Sequence, residues 1–224
     1  MTAQQGLADL EVRARQSGGA SAPVIYNLVA ALLAARGASG TLADVGCGGG
    51  HLWRRLAPSF SRCIGVDAVR YADLPAAVEF IPADLDRVPL PLPAQSADVV
   101  AAVEVVEHLE NPRAFCRELA RIAKPGGWVV VTTPNQLSLL SLLTLVLKGR
   151  FAAFQDVSYP AHITALLEGD LRRIGAECAL GEVEVRYTSR GRMPGTGIHY
   201  PARVSAAFPR RLSDNLVLIG RAHG

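Results

Sequence analysis

An apolar run that ends in a glycine-rich turn is the feature that most narrows the folds open to this chain. Residues 41–57 read TLADVGCGGGHLWRRLA, so a short strand is expected to lead through the turn into a helix. Such a turn is typical of the first strand and helix of a doubly wound α/β sheet, where the backbone comes close to a bound ligand. The sequence therefore predicts a small-molecule site at the carboxyl end of the first strand.

The same alternation of apolar runs and amphipathic stretches continues along the chain. Helices are predicted over residues 7–16 and 22–36 and in NPRAFCRELARIAK, which opens on a proline and has apolar residues at helical spacing. Apolar runs such as residues 129–131 suit strands that are covered on both faces. Further strands are predicted in RCIGVDA, VEFIPADL, SADVVAAVEV, PGGWVVVTTPN, ECALGEVEVRYT and NLVLIGRA. The pattern predicts a doubly wound α/β sheet.

Composition and charge exclude several classes of protein. Half of the 224 residues are hydrophobic and 19% are charged, which is enough for a buried core. A formal net charge of +3 gives no support for nucleic acid as a partner. The four cysteines form no C-x-x-C pair, so neither a zinc site nor a disulfide framework is predicted. The first residues lack an apolar signal-peptide core, and we expect one cytoplasmic domain over residues 1–224.

An acidic residue distinguishes the glycine turn from turns that bind a pyrophosphate. Gly46 and Gly48 fit the G-x-G-x-x-G pattern of dinucleotide folds, but His51 stands at the third glycine position. Asp44 lies two residues before the first glycine, where a carboxylate would repel a phosphate and attract a cation. The turn is therefore expected to hold a cofactor that carries positive charge.

These motifs, in this order, resemble those of the class I S-adenosylmethionine-dependent methyltransferases. The first motif of that superfamily is an acid followed by x-G-x-G-x-G, which residues 44–50 match throughout. Further matches are GVDAV, ADLDRVPLP, SADVVAAVEVVEHLENP and LARIAKPGGWVVVTTPN. The resemblance implies a Rossmann-like, mostly parallel seven-stranded sheet with helices on both faces and an antiparallel C-terminal strand. It also implies S-adenosylmethionine as cofactor and a small-molecule acceptor.

The resemblance assigns roles to residues around the cofactor. Asp67 would bind the ribose hydroxyls, and Ala68 would lie near the adenine. Asp84 and Leu85 would line the adenine site, and Glu104 would lie close to the methionine end. The complete cofactor-binding set predicted is Asp44, Gly46, Cys47, Gly48, Gly50, Asp67, Ala68, Asp84, Leu85 and Glu104.

Candidates for the chemistry follow the fourth and fifth predicted strands. Methyl transfer from a sulfonium needs alignment, a dry pocket and sometimes a base that deprotonates the acceptor. Glu104, Glu107 and His108 have i, i+3, i+4 spacing and would share one face of a helix that starts there. Glu107 and His108 are the predicted catalytic residues. His108 is the better base of the two, because imidazole titrates nearest to neutral pH. The residues predicted to contact the acceptor are Asn135, Tyr159 and His162.

Alternatives remain open for metal use and for the reaction. The E-x-x-E-H stretch also resembles the metal-binding pattern of small-RNA 2′-O-methyltransferases and some ubiquinone-pathway O-methyltransferases, with His162 as the candidate further histidine. Many metal-free members of the superfamily carry the same pair as a helix cap, and we expect no metal. The acceptor atom expected is an oxygen of a lipid-, quinone- or sugar-like compound. A nicotinamide-dependent oxidoreductase and a domain that binds cofactor without turnover are the rival hypotheses.

Residues 137–147, LSLLSLLTLVL, depart most from a minimal methyltransferase. They are apolar nearly all round, with Ser138, Ser141 and Thr144 as a narrow polar stripe, and they are too short to span a bilayer. One interpretation is a helix that packs on the sheet. The other is an exposed flank over residues 137–151 that dimerises, contacts a membrane or admits a lipid-like acceptor.

Two regions are expected to shape the site from outside the sheet. Acceptor specificity is assigned to residues 136–170 and 189–213, which hold no superfamily motif. The N-terminal helices within residues 1–36, including Tyr26, are expected to close over the cofactor, as the resemblance implies.

Overall fold

The computed structural model describes residues 18–223, and the helix predicted over residues 7–16 lies outside them. Seven strands form one sheet in the order β3-β2-β1-β4-β5-β7-β6. Strands β1 to β5 are parallel, and β7 is antiparallel to both of its neighbours. The strands are β1 Gly40–Val45, β2 Phe60–Asp67, β3 Val78–Pro82, β4 Ala97–Ala102, β5 Ala123–Pro134, β6 Leu180–Tyr187 and β7 Asn215–Ala222. This architecture confirms the predicted fold class.

Helices cover both faces of the sheet. On one face, α3 and α5 bury apolar side chains such as Phe115 and Leu171 against the strands. On the other face, α1 and α2 bury Val29, Leu33 and Trp53. The helices are α1 Pro23–Ala34, α2 Trp53–Leu56, α3 Pro112–Ile122, α4 Leu139–Lys148, α5 Glu168–Glu177 and α6 Ala202–Ala207.

Local chemistry fixes where α3 and α4 begin and end. The side chain of Asn111 accepts a hydrogen bond from the Ala114 N–H, and Pro112 occupies the first turn of α3. Ser138 caps α4 in the same way, and Gly149 ends it with a left-handed φ of 70°. Both helices therefore follow the predicted boundaries closely.

The helix predicted after the glycine turn is much shorter than its sequence pattern. Only Trp53–Leu56 is helical. Gly46, Gly48 and Gly50 have φ angles of 81°, 48° and 72°, which an α-helix cannot contain. The turn therefore uses residues that the apolar pattern assigns to the first helical turn.

Helix α4 is oriented with its polar stripe inward. Ser141 is buried, and its hydroxyl donates to Gln136 Oε1 and accepts from the Ala152 N–H. Val146 and Leu147 are 81% and 80% exposed. The C-terminal end of α4 is therefore exposed and apolar, as the second interpretation of this segment requires.

The segment between β6 and β7 starts and ends at one place. Thr188 N–H donates to Asn215 O at 3.2 Å, so the two ends of the segment are hydrogen-bonded to each other. Asp214 N–H donates to Arg190 O, and Arg192 pairs with His199 in a short antiparallel bridge. This closed loop lies at the end of β5, because Asn135 N–H donates to Asp214 O at 2.7 Å.

Candidate active site

A cavity of about 290 Å³, here the first cavity, opens at the carboxyl ends of β1, β2, β3 and β4. Ligands of doubly wound sheets bind at this edge, where the strand order reverses. Seven predicted cofactor residues line the cavity: Gly46, Gly48, Asp67, Ala68, Asp84, Leu85 and Glu104. Asp44, Cys47 and Gly50 do not.

The glycine turn brings bare backbone to the cavity wall. A Cβ on Gly48 would lie 2.1 Å from Gly19 O, and one on Gly46 would lie 2.3 Å from Val105 Cγ2. Gly49 N–H donates to Gly19 O at 3.0 Å, so the chain before α1 lies on the turn. Side chains at Gly46 and Gly48 would therefore displace neighbouring backbone or the β4 loop. This close approach is the physical reason for the glycines.

Two predicted loop residues face away from the cavity. Cys47 packs in the apolar cluster with α1 and α2, and burial raises the pKa of its thiol. A Cβ on Gly50 would meet Pro75 Cδ at 2.6 Å. Both residues shape the turn from behind.

The carboxylates of Asp44 and Asp67 flank the turn, near enough for the charge of Asp67 to act on Asp44. Asp67 Oδ2 accepts from the Gly48 N–H at 2.8 Å, and Oδ1 accepts from the Ala68 N–H at 2.7 Å. Asp44 is only 2% exposed and lies outside the cavity wall. Burial, and next the charge of Asp67, raise the pKa of Asp44 to about 7. Asp67 therefore lines the cavity, whereas Asp44 is buried behind its wall.

The ionisable side chains that line the first cavity are mostly acidic. Within residues 18–223 its wall carries five carboxyl groups and no Lys or Arg side chain. These groups belong to Asp67, Asp84, Asp86, Glu104 and Glu107. A wall of this kind repels phosphates and stabilises a cationic ligand.

Glu104 is held by two residues that the sequence did not single out. Thr132 Oγ1 donates to Glu104 Oε1 at 2.8 Å and accepts from the Glu104 N–H at 2.8 Å. Asn215 Nδ2 donates to Glu104 Oε2 at 2.6 Å. Glu104 itself has a φ of 55°, a strained value for a residue with a Cβ. Burial raises the pKa of Glu104 to about 7.

The prediction that Glu104, Glu107 and His108 share one face of an α-helix is wrong, because these residues do not form an α-helix. A three-residue 3₁₀ turn, Val106–His108, replaces the helix, and the left-handed φ of Glu104 precedes it. The backbone becomes extended at Leu109, so no α-helix lies between β4 and α3. The three side chains nevertheless line the first cavity together.

His108 and His162 form an edge-to-face pair in the cavity. Their ring centroids are 4.8 Å apart, and each Nδ1 lies 2.7 Å from a backbone oxygen, that of Ala161 or Ala153. Because a carbonyl only accepts, each Nδ1 carries the proton and each Nε2 presents a lone pair. Burial, and next the charge of His162, lower the pKa of His108 to about 4. Burial also lowers the pKa of His162, so both rings are neutral at pH 7.

One carboxylate and these two imidazoles could hold a divalent ion. Glu107, His108 and His162 each offer a ligand atom, and these atoms lie within 4.8 Å of one another. Glu107 Oε1 is buried without a hydrogen-bond partner in the part of the chain described, whereas Oε2 accepts from Thr133 Oγ1. Burial, and next the charge of Glu104, raise the pKa of Glu107 well above its usual range. The donor set suits a borderline divalent metal.

A second cavity, of about 460 Å³, adjoins the first. The two share Ala22, Glu104, His162 and Asn215, which form the boundary between them. Asn215, the first residue of β7, is thus a site residue that sequence reasoning missed.

The three predicted acceptor residues lie in different settings. His162 lines both cavities. Asn135 lines the second, but its amide donates to Arg210 O and Ser213 O at 2.8 and 2.9 Å and accepts from the Leu137 N–H. Tyr159 is 72% exposed and lines neither cavity. The geometry therefore gives Asn135 a role in holding the β6–β7 loop.

Comparison with known proteins agrees with this geometry. The family model described as "Methyltransferase domain" matches residues 43–131. The structure is similar to that of a SAM-dependent methyltransferase from Archaeoglobus fulgidus, with a TM-score of 0.63 and 18% sequence identity, over 88% of this chain and 94% of that one. The chain therefore shares the fold of SAM-dependent methyltransferases, and its residues 43–131 match a methyltransferase domain.

Among curated relatives, the chain is similar to ubiquinone biosynthesis O-methyltransferases. The identity is 33% over 118 residues with the protein of Burkholderia vietnamiensis, which covers 49% of this chain and 50% of that one. With the Burkholderia pseudomallei protein it is 30% over 153 residues, covering 64% and 65%. The chain thus spans about half the length of the first curated relatives it matches.

No helix among residues 18–223 is long and apolar enough to cross a membrane.

Proposed function

We propose that this protein is a methyltransferase that uses S-adenosylmethionine to methylate an oxygen of a small molecule. The observation that carries the proposal is the cavity wall beside the glycine turn. This wall contains five carboxyl groups, and no Lys or Arg of the described residues lines it. S-adenosylmethionine carries a sulfonium and an ammonium group and no phosphate. Its charge therefore fits this cavity, whereas a dinucleotide does not.

Each wall residue has a role that its surroundings allow. Asp67, fixed by the Gly48 and Ala68 N–H groups, would accept from the ribose hydroxyls. Ala68 and Leu85 provide apolar surface for the adenine. Glu104 would pair with the ammonium group, which would favour its ionised form despite burial.

The cofactor would supply an electrophilic methyl group on a sulfonium. The task left to the protein is to align the acceptor, exclude water and accept the hydroxyl proton. His108 and His162 meet the last requirement, because each is neutral and presents Nε2 as a lone pair. A base in this position favours a hydroxyl oxygen as the acceptor atom, because a hydroxyl has to lose its proton. An acceptor atom that is already nucleophilic would not need the base.

Calorimetry with two ligands tests the cofactor assignment. We expect S-adenosylhomocysteine to bind with a Kd of roughly 1–100 μM and NADH not to bind. Asp67→Ala should weaken S-adenosylhomocysteine at least tenfold, whereas Asp156→Ala, at an exposed carboxylate outside the cavity, should not. Binding of NADH in place of S-adenosylhomocysteine would reject the proposal in favour of an oxidoreductase.

A metal-assisted variant of the same reaction is the second candidate, because the buried Glu107 Oε1 lacks a partner beside two imidazole nitrogens. In that variant a divalent ion would lower the pKa of the acceptor hydroxyl. Titration of the chelator-treated protein with Mg²⁺, Mn²⁺ and Zn²⁺ separates the two. Stoichiometric binding that Glu107→Gln removes would support the metal; chelator-resistant methylation would retire it.

We also propose that the exposed flank contacts an anionic membrane surface. Val146 and Leu147 are exposed on α4, and Lys148 and Arg150 follow them. Co-sedimentation with phosphatidylglycerol vesicles, compared with phosphatidylcholine alone, tests this. We expect Val146→Ser with Leu147→Ser to abolish it and Val88→Ser to leave it unchanged. A dimer by light scattering that the double variant dissociates would assign the flank to self-association.

A further inference from the structure

We infer that the second cavity binds the methyl acceptor and selects a hydroxyl-rich compound, a sugar or another polyol. The inference rests on the proposed methyltransferase activity. The cavity adjoins the cofactor side through Glu104, His162 and Asn215, so a ligand there would face the methyl donor across that boundary.

Most residues that line the second cavity are of polar type, and within residues 18–223 its wall contains no Phe, Tyr or Trp. Its apolar residues are mostly small, such as Ala152 and Ala153, and Leu140 is a larger exception. The polar members beyond the boundary include Gln136, Ser138, Ser141, Ser158, Arg192, His199 and Asp214. Apolar pockets lined by aromatic residues are the usual sites for flat or lipid-like ligands. An aromatic or isoprenoid acceptor would remove the side chains of Ser158, Arg192 and His199 from water without replacing their hydrogen bonds, at a cost that a polyol avoids.

Several of these polar groups have hydrogen-bonding capacity left. Arg192 Nε donates to Asp214 Oδ2 at 2.7 Å, which fixes the guanidinium and leaves its terminal nitrogens without a partner in the described chain. The Ser158 hydroxyl and the His199 ring likewise make no hydrogen bond to residues 18–223. A fixed arginine beside a carboxylate offers donors and acceptors at adjacent points, which matches neighbouring hydroxyl groups of a sugar.

The boundary between the cavities contains one suitable base. Both oxygens of Glu104 are engaged by Thr132 and Asn215. His162 Nε2 is free, because Nδ1 donates to Ala153 O. In the proposed reaction the acceptor hydroxyl would lose its proton to His162 Nε2, and the bound cofactor would supply the methyl group to the acceptor oxygen and leave as a neutral thioether. His108 lines only the first cavity, so a ligand in the second cavity would meet His162 and not His108.

Ligand-observed NMR on protein saturated with S-adenosylhomocysteine tests the selectivity. The probes are glucose, mannose, rhamnose and myo-inositol, with catechol as the aromatic comparison. We expect saturation transfer to at least one polyol, reduced at least fivefold by Arg192→Leu and by Ser158→Ala, and none to catechol. Arg190→Leu, an exposed neighbour outside the cavity, is the matched control. Transfer to catechol alone, to no probe, or to a polyol regardless of Arg192→Leu would overturn the inference.

Turnover then tests the base. With the polyol that binds, His162→Asn should lower kcat at least a hundredfold and leave the Kd of S-adenosylhomocysteine within about threefold, whereas His108→Asn should cost kcat less. Equal losses in the two variants would remove His162 from this role. If S-adenosylhomocysteine does not bind the unaltered protein, the proposed function itself fails; if it binds and no polyol does, only the present inference fails.

Discussion

Replacing Glu104 with Gln should make the unliganded protein much less sensitive to alkaline pH. Burial raises the pKa of this carboxyl group from 4.5 to about 7. When folding raises the pKa of a carboxyl group, the group contributes its full stabilisation at pH values below its pKa in the unfolded chain. This contribution is lost as the pH rises through its pKa in the folded protein. The shift corresponds to about 3 kcal/mol of unfolding free energy, most of it lost between pH 5 and pH 8.

The assay is urea unfolding of both proteins at pH 5.0 and pH 8.0 without ligand. We expect the unaltered protein to lose about 3 kcal/mol more than Glu104→Gln between these pH values. The variant also removes the charge next to Glu107, which works in the same direction. Glu110→Gln, at an exposed carboxylate, should follow the unaltered protein. An unchanged pH dependence in Glu104→Gln would refute the reasoning, because Glu104 would then be solvated or paired in the folded state.

Three further outcomes follow from the site. Gly48→Ala should lower the melting temperature and weaken S-adenosylhomocysteine at least tenfold, because its Cβ would meet the Gly19 carbonyl oxygen at 2.1 Å; calorimetry that shows normal affinity would contradict this. Asn135→Ala should destabilise the fold by about 2–3 kcal/mol in urea, since it leaves buried backbone groups unpaired. Asp67→Asn should bind the cofactor product more tightly than Asp67→Ala, because the amide keeps an oxygen for the Gly48 N–H; equal affinities would show that this hydrogen bond is irrelevant to the ligand.

Sequence reasoning succeeded where a feature depends on neighbouring residues. The apolar run, the glycines and Asp44 lie within a few positions of each other, so the strand, the turn and the acid beneath it could be located from local pattern. Asn111 and Pro112 placed the start of α3 for the same reason.

The misses come from contacts between distant residues. Asn215 donates to Glu104 over 111 positions, and nothing near Asn215 in the sequence marks it as a site residue. The orientation of α4 depends on Gln136 and Ser141 bonding each other inside the protein, which the apolar composition of the helix conceals. The spacing of Glu107 and His108 indicated their proximity but not the 3₁₀ turn that produces it, because the left-handed Glu104 is held by Thr132 from a neighbouring strand.

The joined ends of the segment between Thr188 and Asn215 give this scaffold a route to new substrates. Since both ends meet at one hydrogen bond, a loop of another length or composition can be grafted there while the strands and the cofactor wall keep their places. Arg192 and His199 travel with that loop, whereas Asp67 and Glu104 do not. Exchange of this one peptide insert would therefore change the wall of the second cavity and leave the residues of the first cavity unchanged.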